Sequence, residues 1–464
     1  MVNNLNIGKK KKFIKNVLDL TFFLISISGI MSLFIVFSRM PYVNNFFFKL
    51  DLNVFKKCLV FHVDFSLYFW MSLYIFIINI FLIFKFIKFF SFFYYFLFFL
   101  SLSSLFVFIT IFNESEIFLI NYIPLIKNYF FFIFFILFFI FLLLFYFFLL
   151  IKIRSYKKNE DKFFNIKNLS SFFLCLFYLI NYLLIILNLF FSYYKLKNFA
   201  IFIDNFNYYE LLIWSTGHLF QYINVFTLLI IFYFYIEKTF FISLNNKIIH
   251  KIILYCFIVN LCSYLLFFLR IIKIDYYLLN TYLMKYNSFF YFIVIFFLFL
   301  NSVYFSNFFK FGKTTSYFRF YSFVIFFMYF FGCSLGFLIN KQNTIIPAHY
   351  HCSIGSVSLS FFIFSNILFN DIFYYNNLKC LFYKFFPFLF FLGQFFFSVG
   401  FLIAGFNGSL RKSFLNNQII NNNFEKFGLL IMAFGGFVAI FSGFYFVFHY
   451  LKIKKNIQND FKWM

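Results

Sequence analysis

The sequence predicts an all-α fold: a polytopic membrane bundle of about twelve transmembrane helices, forming a single transmembrane domain over residues 1–464. Three observations carry this. Hydrophobic residues make up 64% of the chain and charged residues 11%, with a mean hydropathy of +0.91; a soluble chain carries charge on about a quarter of its residues. Apolar runs long enough to span a bilayer recur from end to end. Lys and Arg fall in short tufts between those runs.

A window of about 19 residues places spans near 17–37, 58–84, 87–112, 128–151, 169–193 and 207–236 in the first half. In the second half they fall near 252–272, 284–309, 317–340, 346–370, 381–405 and 425–450. Each suffices as a helix to cross about 30 Å of hydrocarbon. Lys85 and Lys88 mark the thin boundary between spans 2 and 3. Lys9 to Lys12 and Lys15 precede the first span, whose apolar run is too long for a signal peptide and lacks a small-residue cleavage site. It reads as a retained helix. Alternating the spans across the bilayer puts most of the 39 Lys and Arg on the side of the termini, including the basic loop from Lys152 to Lys167. The positive-inside rule therefore places both termini in the cytoplasm or matrix.

The chain holds 101 Phe and 15 Gly. Phe, Ile, Asn, Lys and Tyr are the residues of AT-rich codons, so a biased genome, that of an organelle or reduced endosymbiont, accounts for Phe at lipid-facing positions. The polar residues left inside spans then carry the information. A net charge of +25 does not indicate nucleic acid, because the basic residues line no amphipathic face. Seven Cys without a C-x-x-C pair exclude a zinc ribbon, a thioredoxin-type site and c-type haem attachment.

Six His are informative. His250 and His449 lie at the cytoplasmic ends of spans 7 and 12, where an interfacial role suffices. His62 begins span 2, His218 lies in the outer half of span 6, and His349 and His351 begin span 10. These four share one depth, and ionisable groups at membrane depth are rare and usually functional. Four at one level point to a metal or haem site. His349 and His351, two apart on a helix, point about 200° from one another and so suit two centres rather than one. His62 and His351 then suit the two sides of one haem, and His349 a second haem from one side. His218 and Tyr222, four apart, share a helical face. Asp64 and Glu210 are acidic residues in or beside spans; either suits proton relay, and Asp64 needs a partner.

Twelve spans, a His early in span 2, H-x-x-x-Y in span 6 and H-x-H in span 10 resemble haem-copper oxidase subunit I over essentially the whole chain. The strings Phe61-His62-Val63-Asp64, Gly217-His218-Leu219-Phe220-Gln221-Tyr222 and Pro347-Ala348-His349-Tyr350-His351 carry the likeness. So does Ala404 to Lys412, similar to the family's Gly-x-Pro-Arg-Arg loop. The resemblance implies a low-spin haem on His62 and His351 and a high-spin haem on His349. It implies copper on His218, Tyr222 joined to that His, and propionates held by Arg411 and Lys412. It departs in span 7, where the family's two adjacent copper-ligand His are missing from 252–272. Either other ligands complete that centre or the protein carries haems without copper.

The implied function is that of a respiratory terminal oxidase, a cytochrome c oxidase-type oxidoreductase passing electrons to oxygen or another small oxidant. Implied partners are the lipid bilayer, other oxidase subunits and a separate electron-entry subunit, in a bacterial or endosymbiont cytoplasmic membrane or the mitochondrial inner membrane. Two alternatives stand beside it. One is a copper-less haem electron-transfer or assembly subunit, which accounts for span 7. The other is a secondary transporter, for which neither an inverted repeat nor paired broken helices are present.

Overall fold

The structure, a computed structural model, describes residues 2–41, 52–83, 91–159, 166–197, 203–240, 254–255, 258–259, 276–305, 313–373, 381–414, 418–420 and 422–460. The described residues are overwhelmingly helical. The helices are α1 (Val2–Arg39), α2 (Leu52–Val63), α3 (Met71–Ile83), α4 (Phe93–Ile109), α5 (Tyr129–Asn159), α6 (Ile166–Lys197) and α7 (Asn205–Phe240). They continue as α8 (Tyr276–Phe305), α9 (Lys313–Phe337), α10 (Ile345–Phe373), α11 (Leu381–Phe406) and α12 (Asn423–Asp460). A π-helical segment, Asp64–Trp70, joins α2 to α3. Ten described helices are long and apolar enough to cross a membrane, in agreement with the polytopic reading. Apart from 254–255 and 258–259, span 7 lies outside the described residues, and so do His250, Cys256 and Cys262.

Lipid offers no hydrogen bonds, so helices must satisfy their own backbones and cap their ends. Asn422 Oδ1 accepts from Glu425 N (2.7 Å) at the start of α12, and Asp204 Oδ2 from Asn207 N (3.3 Å) at the start of α7. Pro347 falls in the first turn of α10, where its missing N–H costs nothing.

The chain divides into two compact units. One comprises Met1–Thr21, Leu67–Thr227 and Ser243–Val294. Its core is aromatic, as the Phe-rich composition dictates. Phe69 packs edge-on against Phe138 (4.4 Å between centroids), Phe177 stacks on Phe226 (3.7 Å), and Tyr146 stacks on both Tyr178 and Tyr182. Between α4 and α5 a short antiparallel hairpin pairs Ile117 with Ile126 and Phe118 with Leu125. Lys127 Nζ meets Glu116 Oε2 at 2.8 Å beside it, and that hydrogen bond holds the Lys127 pKa above its ordinary value.

The other unit comprises Phe22–Ser66, Leu228–Ile242 and Ile295–Met464. Its centre is a cluster of Val36, Leu335, Ala348, Phe397, Phe401, Ala404, Leu429, Met432 and Ala433, which joins α1, α9, α10, α11 and α12. Here small residues set the geometry. Gly393 and Gly400 on α11 face Gly428 and Gly435 on α12, each pair about two turns apart. A Cβ at Gly435 would lie 2.6 Å from the Gly393 carbonyl oxygen, and one at Gly400 2.6 Å from that of Gly428. Close backbone approach through small residues is the usual means of joining helices in lipid, where apolar burial between them contributes little. Gly435→Val is expected to destabilise the protein by about 1–3 kcal/mol through overpacking; thermal unfolding in detergent measures this, and an unchanged midpoint contradicts the packing.

Candidate functional site

His62, His349 and His351 all belong to the second of these units. Each residue is partly accessible, while Phe61, Asp64, Ala348 and Cys352 nearby are fully buried.

The three rings share one hydrogen-bonding scheme. His349 Nδ1 lies 2.6 Å from the Gly332 carbonyl oxygen of α9. His351 Nδ1 lies 3.1 Å from Gln394 Oε1 of α11. His62 Nδ1 lies 3.0 Å from Ser28 Oγ and 3.2 Å from the Ser28 carbonyl oxygen of α1. Ser28 Oγ itself donates to the His62 carbonyl (3.0 Å), so toward the ring it acts as acceptor. Each Nδ1 therefore carries the proton and donates it, which leaves Nε2 with a lone pair. None of the three Nε2 atoms is hydrogen-bonded among the described residues. This is the tautomer a metal-ligating imidazole needs, held by an outer partner.

Glycines create the room. Gly332 and Gly336 lie one turn apart on α9. A Cβ at Gly332 would lie 2.8 Å from Ser353 Cα, and one at Gly336 would press on the His349 ring at 3.0 Å. At His62 the helix changes character: its carbonyl accepts from Ser66 Oγ (2.5 Å) as well as Ser28 Oγ, and the π-helical segment begins two residues later. Such π segments concentrate at functional sites.

Arg411 and Lys412, both half-buried, sit in the turn after α11, where Gly408 (φ 97°) and Lys412 (φ 61°) adopt left-handed backbone. That turn is pinned to the start of α10: Asn343 pairs with Leu410, Thr344 N donates to Ser409 O (3.2 Å), and Arg411 N to Gln342 O (3.4 Å). The basic turn and the two His of α10 are thus one construction. Arg39, at the end of α1, is 5% exposed. Its guanidinium donates to the carbonyls of Ser413 (3.0 Å) and Leu410 (3.3 Å) and lies over the rings of Phe401 and Phe414. No carboxylate pairs with it among the described residues.

His218 is built differently. In its own unit it is 3% exposed, and both nitrogens are engaged: Nδ1 donates to the Trp214 carbonyl (2.8 Å) and Nε2 faces Tyr122 Oη (3.2 Å). Tyr122 holds this position with left-handed backbone (φ 63°), and its carbonyl accepts from Tyr68 Oη (2.8 Å). Gly217 makes way for it, since a Cβ there would collide with the Tyr122 ring. A non-glycine residue at positive φ is strained, and such strain gathers at functional sites. Tyr222 is buried one turn after His218, its ring 6.5 Å from that of Tyr291. Glu210 Oε1 accepts a hydrogen bond from Asn121 Nδ2. Among the described residues no group of three or more His, Cys, Asp or Glu is arranged to hold a metal ion.

Sequence reasoning missed Ser28, Arg39, Tyr122, Gly332 and Gln394. Arg39 had a signal, as a lone guanidinium directly after an apolar span, but reads equally as a loop charge. The sequence suggests that Asp64 needs a partner; it is fully buried, and neither carboxyl oxygen has one among the described residues.

A chain in the cryo-electron-microscopy structure of a heme-copper terminal oxidase dimer has a similar fold, with a TM-score of 0.72 at 17% identity over 95% of this chain and 83% of that one. No protein-family model and no curated protein sequence matches the chain. At this identity the likeness is one of fold.

The isolation of Asp64 has a consequence for stability. Burying a polar group without a hydrogen bond costs about 1–3 kcal/mol on mutational scales, so Asp64→Leu is expected to raise the thermal unfolding midpoint in detergent. A fall shows instead that the carboxyl has a stabilising partner.

Proposed function

We propose that this chain is a haem-bearing subunit of a respiratory terminal oxidase, with His62 and His351 holding one haem from two sides and His349 holding a second from one side. The observation that carries this reading is the shared tautomer: three imidazoles, each donating Nδ1–H to a neighbouring helix and leaving Nε2 without a hydrogen bond among the described residues. The likeness to a heme-copper terminal oxidase fold supports the same reading.

The residues fit haem in two further respects. Arg39 has no carboxylate partner among the described residues, and a haem propionate would suit its guanidinium. Arg forks onto carboxylates, and Lys412 adds a point charge. A haem held by His62 and His351 would supply electron relay, and one held by His349 would supply oxygen chemistry. The chain's own work is to orient the rings, hold the protons on Nδ1 and keep water away with the apolar cluster around Ala348 and Phe397. His218 and Tyr222 are the candidates for a copper ligand and the tyrosine beside it; for His218 to bind copper through Nε2, Tyr122 must withdraw its phenol. On this reading the protein lies in a bacterial, endosymbiont or mitochondrial inner membrane with both termini in the cytoplasm or matrix. Electrons then enter through a separate subunit.

The engagement of both His218 nitrogens favours a second reading, a copper-less haem subunit that transfers electrons or serves assembly without reducing oxygen. Oxygen consumption after reconstitution with partner subunits separates the two.

His349→Ala is expected to abolish the high-spin haem spectrum and leave the low-spin bands. His351→Ala is expected to remove the low-spin bands. Optical spectra of the purified variants read both directly, and survival of both sets of bands in either variant refutes the ligand assignment.

A further inference from the structure

A glutamine within an apolar span is costly unless it has a polar partner. Gln394 lies in such a span, in the run Phe385 to Phe406 of α11. Its partner is the ring of His351, whose Nδ1–H donates to Gln394 Oε1 at 3.1 Å. The arrangement is built from both sides. On α10, Gly355 lies one turn after His351; an added Cβ would come within 3.6 Å of Gln394 Cγ and 3.0 Å of Met328 Cε. On α11, Gly393 brings the helix against Ala439 of α12, fixing the backbone that carries Gln394. Phe397, three residues on and on the same face of α11, packs its ring 4.2 Å from that of His351. One amide and one ring from a single helix thus set both the tautomer and the plane of the imidazole.

The three candidate haem ligands differ in what accepts their Nδ1–H. His349 relies on the Gly332 carbonyl, which no substitution removes. His62 has the Ser28 hydroxyl and, behind it, the Ser28 carbonyl. Only His351 of the three depends on a side chain alone. An acceptor on Nδ1–H pushes electron density toward Nε2 and makes the ligand more basic, which favours ferric over ferrous iron.

We propose that Gln394 is a positioning residue for His351, fixing its tautomer and setting the donor strength of Nε2, and with it the reduction potential of the low-spin haem. The proposal rests on the haem reading above. The test uses the full-length, haem-loaded protein in detergent, with spectroelectrochemical titration of the low-spin band and electron paramagnetic resonance of the ferric state. Gln394→Met keeps an unbranched side chain of similar length but replaces the amide with a weak acceptor. Gln394→Leu removes the acceptor altogether.

In both variants the low-spin haem is expected to titrate at a higher potential than in the wild type, with shifted low-spin g-values and an unchanged high-spin band. A purely structural role moves none of these while the haem stays bound. Potentials and g-values equal to the wild type in variants that retain the low-spin band overturn the proposal. If Gln394→Leu does not assemble, Gln394→Met decides. A wild-type protein without a low-spin haem refutes the haem reading itself, an outcome distinct from a bound haem whose potential ignores residue 394.

Discussion

Each of the three imidazoles at the end of α2 and the start of α10 must place an N–H, because hydrocarbon offers no acceptor. Ser28 of α1, Gly332 of α9 and Gln394 of α11 accept those protons. A typical hydrogen bond contributes about 1 kcal/mol net, and leaving a buried donor unmade costs as much or more. These contacts therefore do two things. They tie α2 to α1, and α10 to both α9 and α11. They also fix every proton on Nδ1, so the chemistry of Nε2 is decided by the same bonds that hold the helices.

The glycines make those bonds possible. Gly332 and Gly336 let α9 approach His349, Gly355 makes space for Gln394, and the facing glycines of α11 and α12 hold the helix that carries Gln394 and Phe397. With only 15 Gly in 464 residues, this concentration separates positions that need close approach from the Phe-rich surface that only needs to be apolar. The unit containing His218 solves its polar problem within itself. Trp214 and Tyr122 occupy both ring nitrogens, and the strain in Tyr122 is local to that arrangement. The four His that share a depth in the sequence are therefore of two physical kinds.

Much of the fold was legible in the sequence, because span length and the placement of Lys and Arg follow directly from the thickness and polarity of a bilayer. At the start of α10, two His two residues apart on a helix read as suited to separate centres, and their Nδ1 partners lie on two different helices, α9 and α11. The outer partners were not legible. Ser28 and Gln394 are ordinary polar residues until the helix beside them is known, and Arg39 reads as a flanking charge until its burial is seen. Tyr122 escaped for another reason. Its role depends on a left-handed backbone in a loop and on Gly217 opposite, and neither has a periodic signature. The expected partner of Asp64 failed differently, since no described group meets its carboxyl.

The central claim is that three prepared imidazoles hold two haems. It is tested most directly by the haem and iron content of the purified full-length protein, read with oxidised and reduced optical spectra. The account predicts two haems per chain, one low-spin and one high-spin. A protein that purifies folded, with its helical content intact and no haem bound after expression in a haem-replete membrane, contradicts it.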